Sequence, residues 1–161
     1  MCHQSVMKKI LINIFIFLLI FNTSLAKDRN FKPVAKTKDA LYLLDYSSIK
    51  QGERDEIKYI KLVSYKTSKT TSDGKKYKSV QIYMKGKCKK KMNLPYILQY
   101  YDAQMDDGNV MRGNIVRTAN FAGDWEVSKT GTTYEIVLRK ACENYKASKL
   151  FNEVLKTLEK K

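Results

Sequence analysis

The sequence has few of the residues that most enzymes depend on. Among 161 residues it has one histidine, one tryptophan and three cysteines. His3 and Cys2 lie in a stretch that has the pattern of a leader, so the rest of the chain holds no histidine. Histidine is the usual general base and the commonest metal ligand. We therefore expect a non-enzymatic protein that needs no cofactor and binds no metal.

Glycine and acidic residues are also scarce. The seven glycines stand singly, which excludes a glycine-rich phosphate loop. Asp102, Asp106 and Asp107 form a local group of carboxylates, and their spacing does not match that of a calcium loop. The enzymatic alternative is a carboxylate-dependent hydrolase, which would lose its activity in Asp102→Asn.

Residues 1–26 have the pattern of a secretory signal peptide. Lys8 and Lys9 precede an apolar run at Ile10–Phe21, and Ala26 ends a stretch of small residues. The run is shorter than the roughly 20 residues that span a bilayer, so no membrane span is expected after cleavage. Met7 is an alternative start. We expect an exported bacterial protein, either periplasmic or secreted to the cell surface.

Basic residues outnumber acidic ones across the chain. The net charge is +15, and loss of Lys8 and Lys9 with the leader would leave +13. Such a charge favours polyanions, among them glycosaminoglycan, lipopolysaccharide and anionic lipid. Nucleic acid is not an expected partner of an exported protein. The alternative is a basic, solvated surface without a dedicated partner.

Two cysteines, Cys88 and Cys142, remain after the leader. Disulfides persist in exported proteins, so we predict that these two are bonded, with two buried free thiols as the alternative. The bond would join the end of a strand to a helix.

The remainder divides into a flexible basic lead, residues 27–38, and one α+β domain, residues 39–161. Apolar alternation and turn signals predict about five to six strands before the helix. These strands are predicted at 40–45, 56–66, around Val80, at 92–105 and at 110–118. Turns are predicted at 46–48, in a loose loop at 67–75 and in a hairpin at 106–109. The segment 56–66 is apolar on both faces, which indicates a central strand.

Alternation along the strand before Cys88 separates two sets of side chains. Val80, Ile82, Met84 and, if the strand is unbroken, Cys88 share the core face. Lys85, Lys87, Lys89 and Lys91 would line the other face, with Tyr83 interleaved, at spacings of about 7 Å. This array is the predicted polyanion-binding site. The alternative is that the lysines only protect a sheet edge from aggregation.

The C-terminal third changes to a helical period. Thr132 and Glu135 form a capping box ahead of an amphipathic helix predicted from Thr133 to about Glu159. We expect Trp125 to fill the gap between the sheet and this helix.

Several short motifs, taken in order, resemble the surface-adhesin protein E family of small exported bacterial proteins, named for a Haemophilus adhesin. They are Tyr42-Leu43-Leu44-Asp45, Tyr77-Lys78-Ser79 after Gly74, Cys88, Tyr100-Tyr101-Asp102, Trp125 and Cys142. The resemblance implies a curved antiparallel sheet packed with a C-terminal helix, and dimerisation. It also implies binding of host matrix and serum proteins such as laminin, vitronectin and plasminogen. A periplasmic structural or accessory protein, acting through a dimer or a partner, is the alternative function.

Overall fold

The computed structural model describes residues 29–104 and 113–159. The predicted leader, residues 1–26, and the predicted hairpin at 106–109 lie outside the described residues. The strands are β1 (Phe31–Lys36), β2 (Ala40–Gln51), β3 (Glu56–Thr70), β4 (Lys76–Lys87), β5 (Met92–Tyr101), β6 (Ile115–Asn120) and β7 (Glu126–Val127). One helix, α1 (Thr133–Leu158), follows them.

The strands form one antiparallel sheet in chain order, β1-β2-β3-β4-β5-β6, and β7 pairs with the start of β5. The predicted fold class is therefore confirmed. Register shifts interrupt every pairing along the six-strand path. Such bulges bend a strand and increase its twist, which is how a sheet of long strands acquires curvature.

The alternation in β3 produces a core on each face of the sheet. Ile57, Tyr59 and Val63 pack under the helix with Val80, Ile82 and Met84 of β4. Leu62 belongs to a smaller cluster on the opposite face, with Phe31 and Leu43. We call the first side the helix face and the second the open face. The predicted central position of β3 is confirmed, because β2 and β4 flank it.

The interpretation of residues 27–38 as a flexible lead is wrong for Phe31–Lys36, which form the edge strand β1. Phe31 is buried opposite Asp45 of β2. Pro33 does not prevent pairing, since an edge strand tolerates a residue without an N–H and a bulge follows this proline.

Two predicted turns are also wrong. Residues 46–48 continue β2 through a bulge instead of reversing the chain. Residues 67–70 extend β3, so the predicted loose loop shrinks to a short turn at 71–75. Gly74 supplies the φ of +82° in this turn, which a residue with a side chain rarely adopts.

Only the first half of α1 covers the sheet. Val137, Leu138 and Ala141 are buried, whereas Phe151 and Leu158 are 62% and 63% exposed. The 26-residue helix is about 39 Å long, and its C-terminal half lies outside the packed core. The helix begins one residue after Thr132, as predicted, and the Glu135 N–H donates to Thr132 Oγ1 at 3.3 Å.

The return bond of the predicted capping box is replaced by other contacts. The Thr132 N–H donates to the Lys129 carbonyl at 3.2 Å, and the Glu135 carboxylate lies 3.4 Å from Arg139 Nε. Glu135 therefore stabilises the helix from within its first turns.

Candidate functional site

A disulfide between Cys88 and Cys142 joins the sheet to the helix, as predicted, with 5.8 Å between the two Cα atoms. Cys88 is the first residue after β4, and it packs against the helix-face core. Gly86 lets the helix approach closely here, since a Cβ at this position would lie 2.6 Å from Leu138 Cδ1. The end of β4 is therefore fixed to the helix by both packing and a covalent bond.

The strand ends at Lys87, so the predicted array of four lysines along one strand face is wrong beyond that residue. Residues 88–91 form a tight turn into β5. The Lys91 N–H donates to the Cys88 carbonyl at 3.4 Å, and Lys91 has a φ of +52°. We call Lys89, Lys90 and Lys91 the lysine turn.

Lys85 and Lys87, which do lie on β4, share one acidic partner. Their Nζ atoms lie 4.0 and 3.8 Å from the Glu56 carboxylate. Lys87 Nζ also lies 4.1 Å from the centre of the Trp125 ring, a cation–π contact. Glu56 therefore holds both side chains, and Trp125 also contacts Lys87.

The side chains of the lysine turn, unlike those of Lys85 and Lys87, have no acidic partner among the described residues. All three side chains are exposed, and none of the acids in residues 29–104 and 113–159 forms an ion pair with them. A shallow groove of about 260 Å³ lies beside the disulfide and has Lys91 and Lys146 on its rim. Glu143 in the same groove accepts hydrogen bonds from Lys140 and Arg139, and these bonds lower the pKa of its carboxyl group. Lys91 and Lys146 therefore place uncompensated positive charge beside the disulfide.

The aromatic residues are not interleaved with these lysines. Tyr83 lies on the open face, where its hydroxyl donates to Gln99 Oε1 at 3.1 Å. Tyr77 packs edge-on against Tyr65 and Tyr100 beside the helix-face core. Trp125 is half-buried next to Lys87 and is not among the residues of that core.

Sequence reasoning missed a buried lysine on the helix face. Lys61 is 2% exposed, and its Nζ lies 3.6 Å from the centroid of the Tyr134 ring. Burial lowers the pKa of Lys61 to about 7, and Glu126 acts in the opposite direction. The sequence did contain a sign of this burial, since Lys61 lies between Tyr59 and Val63 in the alternating series that faces the core.

A hydrogen-bond chain lies on the same face. The Tyr59 hydroxyl donates to Asn93 Oδ1, and Asn93 Nδ2 donates to Ser128 Oγ at 2.5 Å. Burial raises the pKa of the Tyr59 hydroxyl, so it stays a donor. This chain attaches the segment before α1 to the sheet.

Asp102, the residue on which a hydrolase would depend, is exposed at the end of β5. Its carboxylate accepts hydrogen bonds from the backbone N–H and side-chain amide of Asn114, at 2.8 and 3.2 Å. The other two acids of that group, Asp106 and Asp107, lie outside the described residues. Among the described residues no three potential metal ligands lie together.

A model of one protein family matches most of the chain. The model of the family described as surface-adhesin protein E matches residues 31–143. The chain belongs to the surface-adhesin protein E family. The match runs from the first residue of β1 to the residue after Cys142, so it takes in the whole sheet and the packed half of α1.

A solved structure has the same fold. Crystal form II of Haemophilus influenzae protein E aligns with a TM-score of 0.53 at 15% identity, over 76% of this chain and 93% of that one. A second structure of Haemophilus influenzae protein E gives 0.48 at 15% identity, over 73% and 93%. No curated protein sequence matches. No helix in the described residues is both long and apolar enough to cross a membrane.

Proposed function

We propose that this chain is an exported, adhesin-like protein that binds acidic macromolecules, host matrix components among them, through the lysine turn. The observation that carries the proposal is the exposure of three adjacent lysines without acidic partners, at a position fixed by the Cys88–Cys142 bond. Membership of a surface-adhesin family supports a role at the cell surface. The leader pattern at residues 1–26 supports export.

The unpaired charges of the lysine turn make it a better binding surface for polyanions than Lys85 and Lys87 of β4. Each lysine that neutralises a phosphate or sulfate releases condensed counterions, which drives polyanion binding. To bind a polyanion, Lys85 and Lys87 would first have to break their ion pairs with Glu56. Lys89, Lys90 and Lys91 have no ion pair to break, and the turn holds the three side chains next to one another.

Retention on immobilised heparin tests this proposal. We expect a variant with Lys89, Lys90 and Lys91 changed to Gln to elute at clearly lower salt than the unchanged protein. The matched control changes Lys32, Lys36 and Lys38, three exposed lysines at the other edge of the sheet, to Gln. The control carries the same net charge and should elute close to the unchanged protein. Equal shifts in both variants would mean that only net charge matters, and the proposal would be wrong.

The exposed end of α1 favours the alternative function, a dimeric envelope protein. We call residues 146–159 the helix end. Its exposed apolar residues are Leu150, Phe151, Val154, Leu155 and Leu158. Phe151 and Leu158 are one heptad apart with Val154 between them, the spacing of a coiled-coil seam. Lys149, Glu153 and Lys156 lie on the opposite side of the helix end, so the five apolar residues form one continuous side that a second copy would cover.

Sedimentation equilibrium tests the alternative. A dimer that dissociates in Phe151→Asp, but not in the control Asn152→Asp, would support it. Because Phe151 is exposed and far from the core, the substitution leaves the fold intact. A protein that is monomeric at about 0.1 mM would exclude the helix end as a stable self-association site.

A further inference from the structure

A second basic feature lies on the open face, independent of the lysine turn. A cleft of about 450 Å³ opens there, within the roughly 300–1,000 Å³ of typical small-molecule sites. Its chemistry comes from six residues on separate parts of the chain, which are Arg29, Asp45, Lys50, Lys58, Tyr83 and Tyr96.

The single acid of this group is already neutralised. Asp45 is buried, and its Oδ1 accepts hydrogen bonds from the Asn30 N–H, the Ser47 N–H and the Ser47 hydroxyl at 3.1, 3.0 and 2.6 Å. Its Oδ2 lies 3.7 Å from Arg29 Nη1. Asp45 therefore fixes the cleft wall and has little charge left to offset the lysines.

Two lysines face each other across the floor of the cleft. Lys50 and Lys58 are direct partners in the β2–β3 register. Like charges directly opposite each other destabilise a sheet. Within residues 29–104 and 113–159 no acid forms an ion pair with either lysine. A bound anion would relieve this repulsion.

The opposite wall is aromatic. The rings of Tyr83 and Tyr96 lie 6.1 Å apart with 62° between their planes. The Tyr83 hydroxyl accepts a hydrogen bond from Arg29 Nη2 at 3.4 Å and donates one to Gln99 Oε1 at 3.1 Å. The Tyr96 hydroxyl has no hydrogen-bond partner among the described residues, and burial raises its pKa, so it remains a donor. This wall offers an apolar ring surface and a free hydroxyl side by side.

We propose that this cleft binds an acidic sugar, a pyranose that carries a carboxylate. The carboxylate would lie between Lys50 and Lys58, where it neutralises the facing charges. The C–H face of the sugar ring would pack on Tyr83 or Tyr96, and a sugar hydroxyl would accept from the Tyr96 hydroxyl. Each part of the ligand matches a part of the cleft that the protein leaves unsatisfied.

Calorimetric titration of the purified protein with hyaluronan tetrasaccharide, which carries uronate carboxylates, tests the proposal. We expect a Kd on the order of 1 mM, and at least tenfold weaker binding of N-acetylchitotetraose, a neutral tetrasaccharide. Sodium sulfate alone should bind more weakly than hyaluronan, because it cannot contact the tyrosines. No heat from hyaluronan, or equal binding of either comparison ligand, would overturn the proposal.

Variants locate the site. Lys58→Gln should weaken hyaluronan binding about tenfold through loss of one charged hydrogen bond. It should not lower the melting temperature, since it removes a like-charge contact. The control Lys76→Gln, an exposed lysine outside the cleft, should bind as before. Unchanged binding in Lys58→Gln would place the sugar elsewhere. The Gln variant of the lysine turn should retain hyaluronan binding, which separates failure of this proposal from failure of the heparin proposal.

Discussion

The ammonium group of Lys61 lies against the ring of Tyr134, the second residue of α1, at 3.6 Å from the ring centroid. The contact closes the helix face over a lysine that is otherwise enclosed by the sheet. Tyr134 itself is 48% exposed, whereas Lys61 is 2% exposed. Burial lowers the pKa of Lys61 to about 7, which couples the stability of the fold to pH.

We predict that the protein becomes more stable between pH 7 and pH 9. The pKa of Lys61 falls from 10.5 in the unfolded chain to about 7 in the fold, so over this range the unfolded chain holds a proton that the folded chain lacks. Raising the pH then favours folding, by an amount on the order of 2 kcal/mol. Chemical denaturation at several pH values measures this slope. The range ends at pH 9 because Tyr65 and Tyr101, with pKa values raised to about 12, act in the opposite direction above pH 10.

Lys61→Met identifies the group responsible. The variant should be more stable than the unchanged protein at pH 7, since an apolar side chain replaces a buried cation. It should also lose the rise in stability between pH 7 and pH 9. Lys66→Met, an exposed lysine on the same strand, should retain that rise. A slope that persists in Lys61→Met would show that another group titrates.

Loss of the disulfide should destabilise the protein by about 4 kcal/mol, because the bond closes a long loop in the unfolded chain. The double substitution Cys88→Ser and Cys142→Ser, compared with the unchanged protein in guanidinium, measures this. The variant should also release the lysine turn from the helix and weaken heparin retention. Undiminished retention in a folded double variant would mean that the turn needs no anchor.

Gly86→Ala should destabilise the fold by about 1–3 kcal/mol through overpacking. The added Cβ would lie 2.6 Å from Leu138 Cδ1 and 3.1 Å from Tyr59 Cε1, so the buried Leu138 side chain must shift within a closely packed core. Thermal melting compares this variant with Ser148→Ala, a change on the exposed part of α1. If Gly86→Ala melted with the control, the helix would not be packed as closely as described.

The parts of the fold that the sequence predicted have local signals. Ile57, Tyr59 and Val63 alternate with Ile60 and Leu62, and that period places β3 between two apolar layers. The bond between Cys88 and Cys142 required only a count of cysteines and an exported location. The start of α1 followed from Thr132, a residue whose hydroxyl accepts the free N–H groups of a first helical turn.

The parts that it did not predict depend on partners distant in the chain. Phe31–Lys36 has little apolar pattern of its own, and it forms a strand because β2 offers an edge. The prediction of four lysines along one strand face was wrong because a turn interrupts the strand alternation after Lys87. No residue before Cys88 indicates that turn. The cleft joins Arg29, Lys58 and Tyr96 from three segments, which only the topology brings together.

We assign the contact with acidic macromolecules to the lysine turn. Amide chemical shifts of the isotope-labelled protein, titrated with a heparin octasaccharide, test it most directly. We predict the largest shift changes at Lys89, Lys90 and Lys91, and their loss on addition of salt, since exposed charges are screened. Binding of the octasaccharide that leaves these three amides unshifted would contradict the claim.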